Sequence, residues 1–163
     1  MPSLQDLGAA AAALLMERRH TIAVAESSAG GLINAALVAV PGASAYYRSG
    51  AVVYTVPGRI ALLDIAKADI VPPTRSASAP YAALMARRIR ERLGATWGLA
   101  ETGASGPSGN RYGDTPGHAC IAVSGPVDAV VTLETGSAGR EANMWAFTRH
   151  ALALLEDCIR KAS

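Results

Sequence analysis

The stretch Thr21–Leu37, TIAVAESSAGGLINAAL, constrains the fold more than any other part of the chain. Ile22 and Val24, flanked by Ala23 and Ala25, read as a buried strand. The pattern then breaks at Glu26-Ser27-Ser28-Ala29-Gly30-Gly31 and resumes with helical spacing at Leu32, Ala35, Ala36 and Ala39. Strand, small polar turn and helix is an arrangement that aims backbone N–H groups and hydroxyls at an anion or a reacting carbonyl. Gly30 and Gly31 allow a ligand to approach the backbone closely. The same pattern also describes an ordinary turn in which Ser27 caps the following helix.

The rest of the chain extends this unit into an α/β protein. Ser3, with Asp6 three residues on, caps a first helix that ends near Arg18-Arg19. Ser49–Val56 reads as a second strand, and Pro57 opens a short helix through Leu63. A polar connector, Lys67–Ser78, leads to a helix over 79–93 with an apolar stripe of Ala83, Leu84, Ile89 and Leu93, ended by Gly94. A third strand over 95–101 runs into a loop from Thr102 to Gly117, long for a compact domain and therefore a candidate functional loop. Strands over 118–124 and 129–135 form a hairpin around Gly125–Asp128. A last helix, Arg140–Lys161, turns Ala142, Trp145, Ala146, Leu152, Leu155 and Ile159 inward. The expected fold is a three-layer α/β/α sandwich with a mixed sheet, one domain over 1–163.

Three stretches leave the carboxyl ends of expected strands, where ligands gather in α/β sheets: 26–31, 54–59 and 102–117. If they converge they form one site that binds an anion and polarises a carbonyl. A net charge of +2 does not argue for nucleic acid, and the Arg87–Arg92 run reads as a solvated helix face. Cys120 and Cys158 lack CxxC spacing and read as free buried thiols, while His20, His118 and His150 are scattered. No metal site and no cofactor are expected. The Ala-rich N-terminal run is too short to span a bilayer and lacks the basic start of a signal peptide, so a cytoplasmic protein is expected.

Ala25-Glu26-Ser27 with Gly30-Gly31, Val40-Pro41-Gly42-Ala43-Ser44-Ala45, Gly50 through Tyr54, Thr102-Gly103-Ala104-Ser105-Gly106-Pro107 and Gly139-Arg140 together resemble the C-terminal domain of the competence/damage-inducible protein CinA. The likeness runs from about Leu4 to Ile159. Stand-alone members of that family are nicotinamide mononucleotide (NMN) amidohydrolases, which resemble serine hydrolases with a Ser/Lys pair. The resemblance thus implies a pyridine-nucleotide hydrolase releasing ammonia from NMN, without the separate N-terminal domain of full-length CinA; a homo-oligomer is expected because small α/β enzymes often assemble symmetrically. It places catalytic positions at Ser27, Ser44, Tyr54 and Thr102. It places substrate or phosphate contacts at Gly30, Gly31, Gly103, Ser105, Gly106 and Arg140.

One departure matters most. The family pattern Tyr-Ser-Asn-x-x-Lys is Tyr54-Thr55-Val56-Pro57-Gly58-Arg59 here, so the lysine position holds Arg59. A general base must be neutral, and a guanidinium effectively never is in a protein. Arg59 is therefore expected to bind phosphate or another anion. The turn also has Ala29 where the family has a threonine, and Met144 stands where a basic residue is usual. Of the residues that could replace the lysine, Lys67 lies in a connector that nothing points at the site. His118, at the mouth of a strand, is the better candidate base, its plainer reading being a surface histidine at a strand start. The alternative to an amidohydrolase is a re-purposed member that binds a nucleotide or another anion without turnover.

Overall fold

A computed structural model describes residues 1–163 throughout. In chain order the elements are α1 (Leu4–Arg18), β1 (Ile22–Glu26), α2 (Leu32–Val38), β2 (Tyr47–Val52), α3 (Val56–Leu63), α4 (Ala79–Leu93), β3 (Trp97–Ala104), β4 (His118–Ser124), β5 (Ala129–Glu134) and α5 (Arg140–Lys161). The strands form one five-stranded sheet in the order β2-β1-β3-β4-β5. β2, β1 and β3 are parallel, and β4 and β5 complete the sheet antiparallel. The expected α/β class and mixed sheet are observed.

Period-2 alternation divides the core into two layers. Ile22, Val24, Trp97, Leu99 and Ile121 face α1, α2 and α5. Ala23, Ala25, Ala100 and Ala122 face α4 and Leu63 of α3. The second face consists of small residues because α4 lies almost on the sheet. A Cβ added at Gly98 would stand 2.1 Å from the Ala86 carbonyl oxygen and 2.7 Å from Arg90 Cβ. The first of these contacts is with backbone and cannot yield cheaply. Gly98→Ala is expected to destabilise the protein by about 1–3 kcal/mol, read as a lower urea midpoint at unchanged slope.

The caps follow their chemistry. Ser3 and Asp6 form a reciprocal capping box, Ser78 accepts from the Tyr81 amide, and Gly94 ends α4 in the left-handed region at φ 58°. Other expectations are corrected. β2 ends at Val52, so Tyr54 lies in the connection to α3, whose cap is Thr55. β3 continues through Ala104, which moves Thr102 and Gly103 onto the strand. Their backbone is paired by β4 through Thr102–Cys120 and Gly103–Ala119. On α2 the buried face is Ile33, Ala36 and Leu37, not Leu32 and Ala39. On α5 Ala142 is exposed, and Phe147, Thr148 and Ala151 lie inside instead. Cys120 and Cys158 are free and buried.

The segment after β3 is long but pinned. Asp114 accepts two hydrogen bonds from Arg75, at 2.8 and 3.0 Å, and one from the Asn110 side chain. The Arg75 guanidinium also lies over the Tyr112 ring, 4.7 Å from its centroid. Arg75 holds the Asp114 carboxyl below the usual carboxylate range.

Candidate functional site

The carboxyl ends of β1 and β3 stand side by side, with Glu26 paired to Glu101 in register. Both glutamates are fully buried, and both take up donors of the turn between β1 and α2. Glu26 accepts from the amides of Gly31 (2.7 Å), Ile33 (3.2 Å) and Asn34 (2.8 Å), and from the Asn34 side-chain amide (2.7 Å). Glu101 accepts from the amides of Ser27 (3.1 Å) and Ala29 (2.9 Å), and from the Ser28 hydroxyl. The turn is therefore an anion cradle whose anions are the protein's own carboxylates. It offers these amides to no external phosphate, and the helix cap is Gly31 with Glu26, not Ser27.

Burial pushes both carboxyls above the ordinary glutamate value. Hydrogen bonds from the turn oppose the shift, and Glu101, with Glu26 beside it, is raised to about 7. The only sign of them in the sequence is an acidic residue closing each of two apolar strands.

In front of Ser27 lies a cavity of about 410 Å3 lined by Val53, Tyr54, Arg59, Tyr81, Thr102, Gly103 and Tyr112, among others. Its size suits a small organic ligand. Arg59 is 8% exposed, forms no ion pair, and its Nε has no hydrogen-bond partner. Tyr81 stands by it; burial pushes the Tyr81 phenol up and the Arg59 charge pulls it back. Thr102, 3% exposed, accepts from the Ala77 amide at 3.2 Å. Ala77 itself holds a left-handed φ of 59°, fixed from both sides by Thr102 and by a His118 bond to its carbonyl. Asn110, Arg111 and Tyr112 also face the cavity. In the sequence they are only part of a long loop.

A groove of about 340 Å3 adjoins this cavity, and Ser27 and Tyr54 line both. Its other walls are Ser28, Gly30, Val52, Arg140 and Met144. Arg140 donates to the Gly106 carbonyl at 2.6 Å and to the Tyr54 hydroxyl at 2.8 Å, tying the start of α5 to two loops. Gly30 takes φ 70°, and a Cβ there would meet Met144 Cε at 2.6 Å.

The expected residues thus divide. Ser27, Tyr54, Arg59, Thr102 and Gly103 converge on the cavity, with Gly30 and Arg140 on the adjoining groove. Ser105 and Gly106 instead anchor α5: the Ser105 carbonyl accepts from Asn143, and Gly106 from Arg140. Gly31 is spent on the α2 cap. Ser44 is exposed on a short turn at Ala43–Ala45, ahead of β2. Because Ile22 pairs with Tyr47, that turn lies off the amino end of the sheet, away from the cavity.

His118 does not serve as a base. It is 7% exposed, with Nδ1 2.5 Å from a Glu134 carboxylate oxygen and Nε2 2.7 Å from the Ala77 carbonyl. Both partners accept hydrogen bonds, so the ring needs a proton on each nitrogen. Burial pushes its pKa down, but Glu134, Ala77 and Asp114 together raise it above the ordinary value. A doubly protonated ring has no lone pair to offer. Neither His118 nor Lys67 lines the cavity in front of Ser27, and Arg59, which does, is a guanidinium.

The model of the CinA C-terminal domain matches residues 4–159. The chain belongs to the CinA C-terminal domain family. A CinA-like protein of Gloeobacter violaceus is 39% identical over 151 residues, covering 91% of this chain and 35% of that protein. The chain spans about a third of the length of such curated relatives. Among solved structures, the competence/damage inducible protein CihA of Agrobacterium tumefaciens is 27% identical at a TM-score of 0.86, covering 99% of this chain and 98% of that one. A CinA superfamily protein of Escherichia coli is 26% identical at a TM-score of 0.86, with 94% and 90% covered. Within this CinA domain no helix is long and apolar enough to cross a membrane.

Proposed function

We propose that this CinA domain takes a phosphate-bearing mononucleotide of the NMN class in the cavity, with Arg59 on the phosphate, and hydrolyses its carboxamide to release ammonia. The observation that carries the binding half is Arg59. A buried guanidinium without a carboxylate partner is costly to keep, and an anion in the cavity would supply the missing charge and hydrogen-bond acceptors. Ser27, Tyr54 and Thr102 add hydroxyls for the ribose or the amide. The hydrolytic half rests on the family likeness. A second reading, a nucleotide binder without turnover, is favoured by one fact: Ser27 has no proton acceptor, since Arg59 stays charged and His118 is fully bonded.

Calorimetry with NMN, nicotinamide riboside and inorganic phosphate, followed by an ammonia assay, separates these readings. Wild type should bind NMN and discriminate against the riboside, which lacks phosphate. Arg59→Met should weaken NMN binding by roughly 30-fold, about 2 kcal/mol for a charge-assisted contact. It should also leave the unliganded protein at least as stable, because an unpaired buried charge is removed. Equal affinity for riboside and nucleotide would sink the phosphate assignment. Binding without ammonia release would favour the second reading.

A further inference from the structure

The proposed hydrolysis lacks a base at Ser27, yet the neighbouring residue has one. Ser28 is 6% exposed, lines the groove beside Arg140, and donates its hydroxyl hydrogen bond to the Glu101 carboxylate. We propose that Ser28 and Glu101 are the nucleophile–base pair of this domain, acting on a carboxamide or ester carbonyl presented in that groove. The inference rests on the reading of the chain as a hydrolase, but not on NMN as its substrate.

The geometry supplies each part that acyl transfer needs. Glu101 is held from the far side by the Ser27 and Ala29 amides on Oε2, which leaves Oε1 turned to the Ser28 hydroxyl. An adjacent acceptor is what turns a weakly nucleophilic hydroxyl into a reactive one. Arg140 lines the same groove; beyond its bonds to Gly106 and Tyr54 its guanidinium has further N–H groups for a developing oxyanion. Val52, Tyr54 and Met144 make the remaining wall largely apolar, which suits a flat acyl group such as a pyridine ring. Because Ser27 and Tyr54 border both spaces, a nucleotide held at Arg59 points its other end toward this groove.

The steps balance. The Ser28 proton passes to Glu101 Oε1 as Oγ bonds to the carbonyl carbon. The C–N or C–O bond to the leaving group then breaks, and the leaving group takes the proton from Glu101. Water attacks the acyl-serine, giving its proton to Glu101, and Ser28 Oγ recovers a proton as the carboxylic acid departs. Only ionised Glu101 starts the cycle. Its value near 7 places the onset of reactivity around neutral pH. The charged group that acts on it is Glu26 from β1, which raises its pKa. Its antiparallel neighbour on β4 is the uncharged Ile121.

Diisopropyl fluorophosphate reports a reactive serine without any nucleotide present. Wild type should acquire one adduct, mapped by tandem mass spectrometry to Ser28, at a rate rising sigmoidally with a midpoint near pH 7. Ser28→Ala should abolish it. Glu101→Gln should slow it by about 100-fold or more and flatten the pH profile. This glutamine fits the site, since its oxygen can face the Ser27 and Ala29 amides while its NH2 donates to Ser28. An adduct on Ser27, labelling that survives Ser28→Ala, a wild-type rate without a step between pH 5 and 9, or no adduct at all would overturn the assignment. Labelling at Ser28 without ammonia release from NMN would leave the pair standing and discard NMN as substrate.

Discussion

Glu26→Ala is expected to lower stability by about 4 kcal/mol. The carboxylate is fully buried and collects the amides of Gly31, Ile33 and Asn34 together with the Asn34 side chain. Truncation leaves these donors facing an apolar void, at roughly 1–3 kcal/mol for each one water cannot reach. Gly31 and Asn34 are only half-buried, so part of that cost is recovered by hydration. A loss of about 4 kcal/mol is a large share of a typical domain's stability and should lower Tm by roughly 10 °C. Glu26→Gln should cost about half as much, because every partner is a donor and one glutamine NH2 must face a donor. Thermal and urea unfolding of the two variants would check the order; equal stabilities would show that water replaces the carboxylate.

The second large effect is on pH dependence. Glu101 is fully buried and its carboxyl is raised from an unfolded value near 4.5 to about 7. A raised carboxyl means that the folded chain holds a proton which the unfolded chain has released. Stability is therefore highest below about pH 4.5 as far as this group is concerned. It falls as pH rises toward 7 and levels off above, by about 3 kcal/mol in all. Glu26 is shifted in the same direction, and the raised His118 also loses its contribution as pH rises through its folded value. The Glu101 share is isolated by difference. Urea unfolding of wild type and Glu101→Gln from pH 4.5 to 8 should show curves that diverge progressively, with the glutamine variant gaining relative stability toward pH 8. Parallel curves would mean that Glu101 ionises like an exposed glutamate.

Much of the architecture is legible along the chain because it depends on local periodicity. The alternation at Ile22–Ala25, the Ser3 and Ser78 caps, Gly94 and the hairpin around Gly125–Asp128 state their structures within a few residues. The errors fall where neighbours decide. Thr102 and Gly103 look like loop because Thr-Gly is turn-like, but β4 pairs their backbone and extends β3. Tyr54 looks like strand because it is aromatic and follows Val52-Val53, but Thr55 capping α3 ends β2 first. Ala142 fits an apolar stripe by composition, and Phe147 takes the buried place.

What the residues determine by themselves is the α/β class, the strand–turn–helix at Thr21–Leu37 and the replacement of a lysine by an arginine that cannot act as a base. Only the tertiary structure decides what the turn binds and which groups meet. Glu26 and Glu101 lie far apart in sequence, and parallel pairing of β1 with β3 brings them to one register position beneath the turn. Local pattern shows that the turn has donors to give, but not that buried carboxylates from two strands consume them. The same pairing sets a carboxyl with a pKa near 7 against Ser28. A pKa shift of this kind comes from burial and from neighbours in space, which local sequence does not specify.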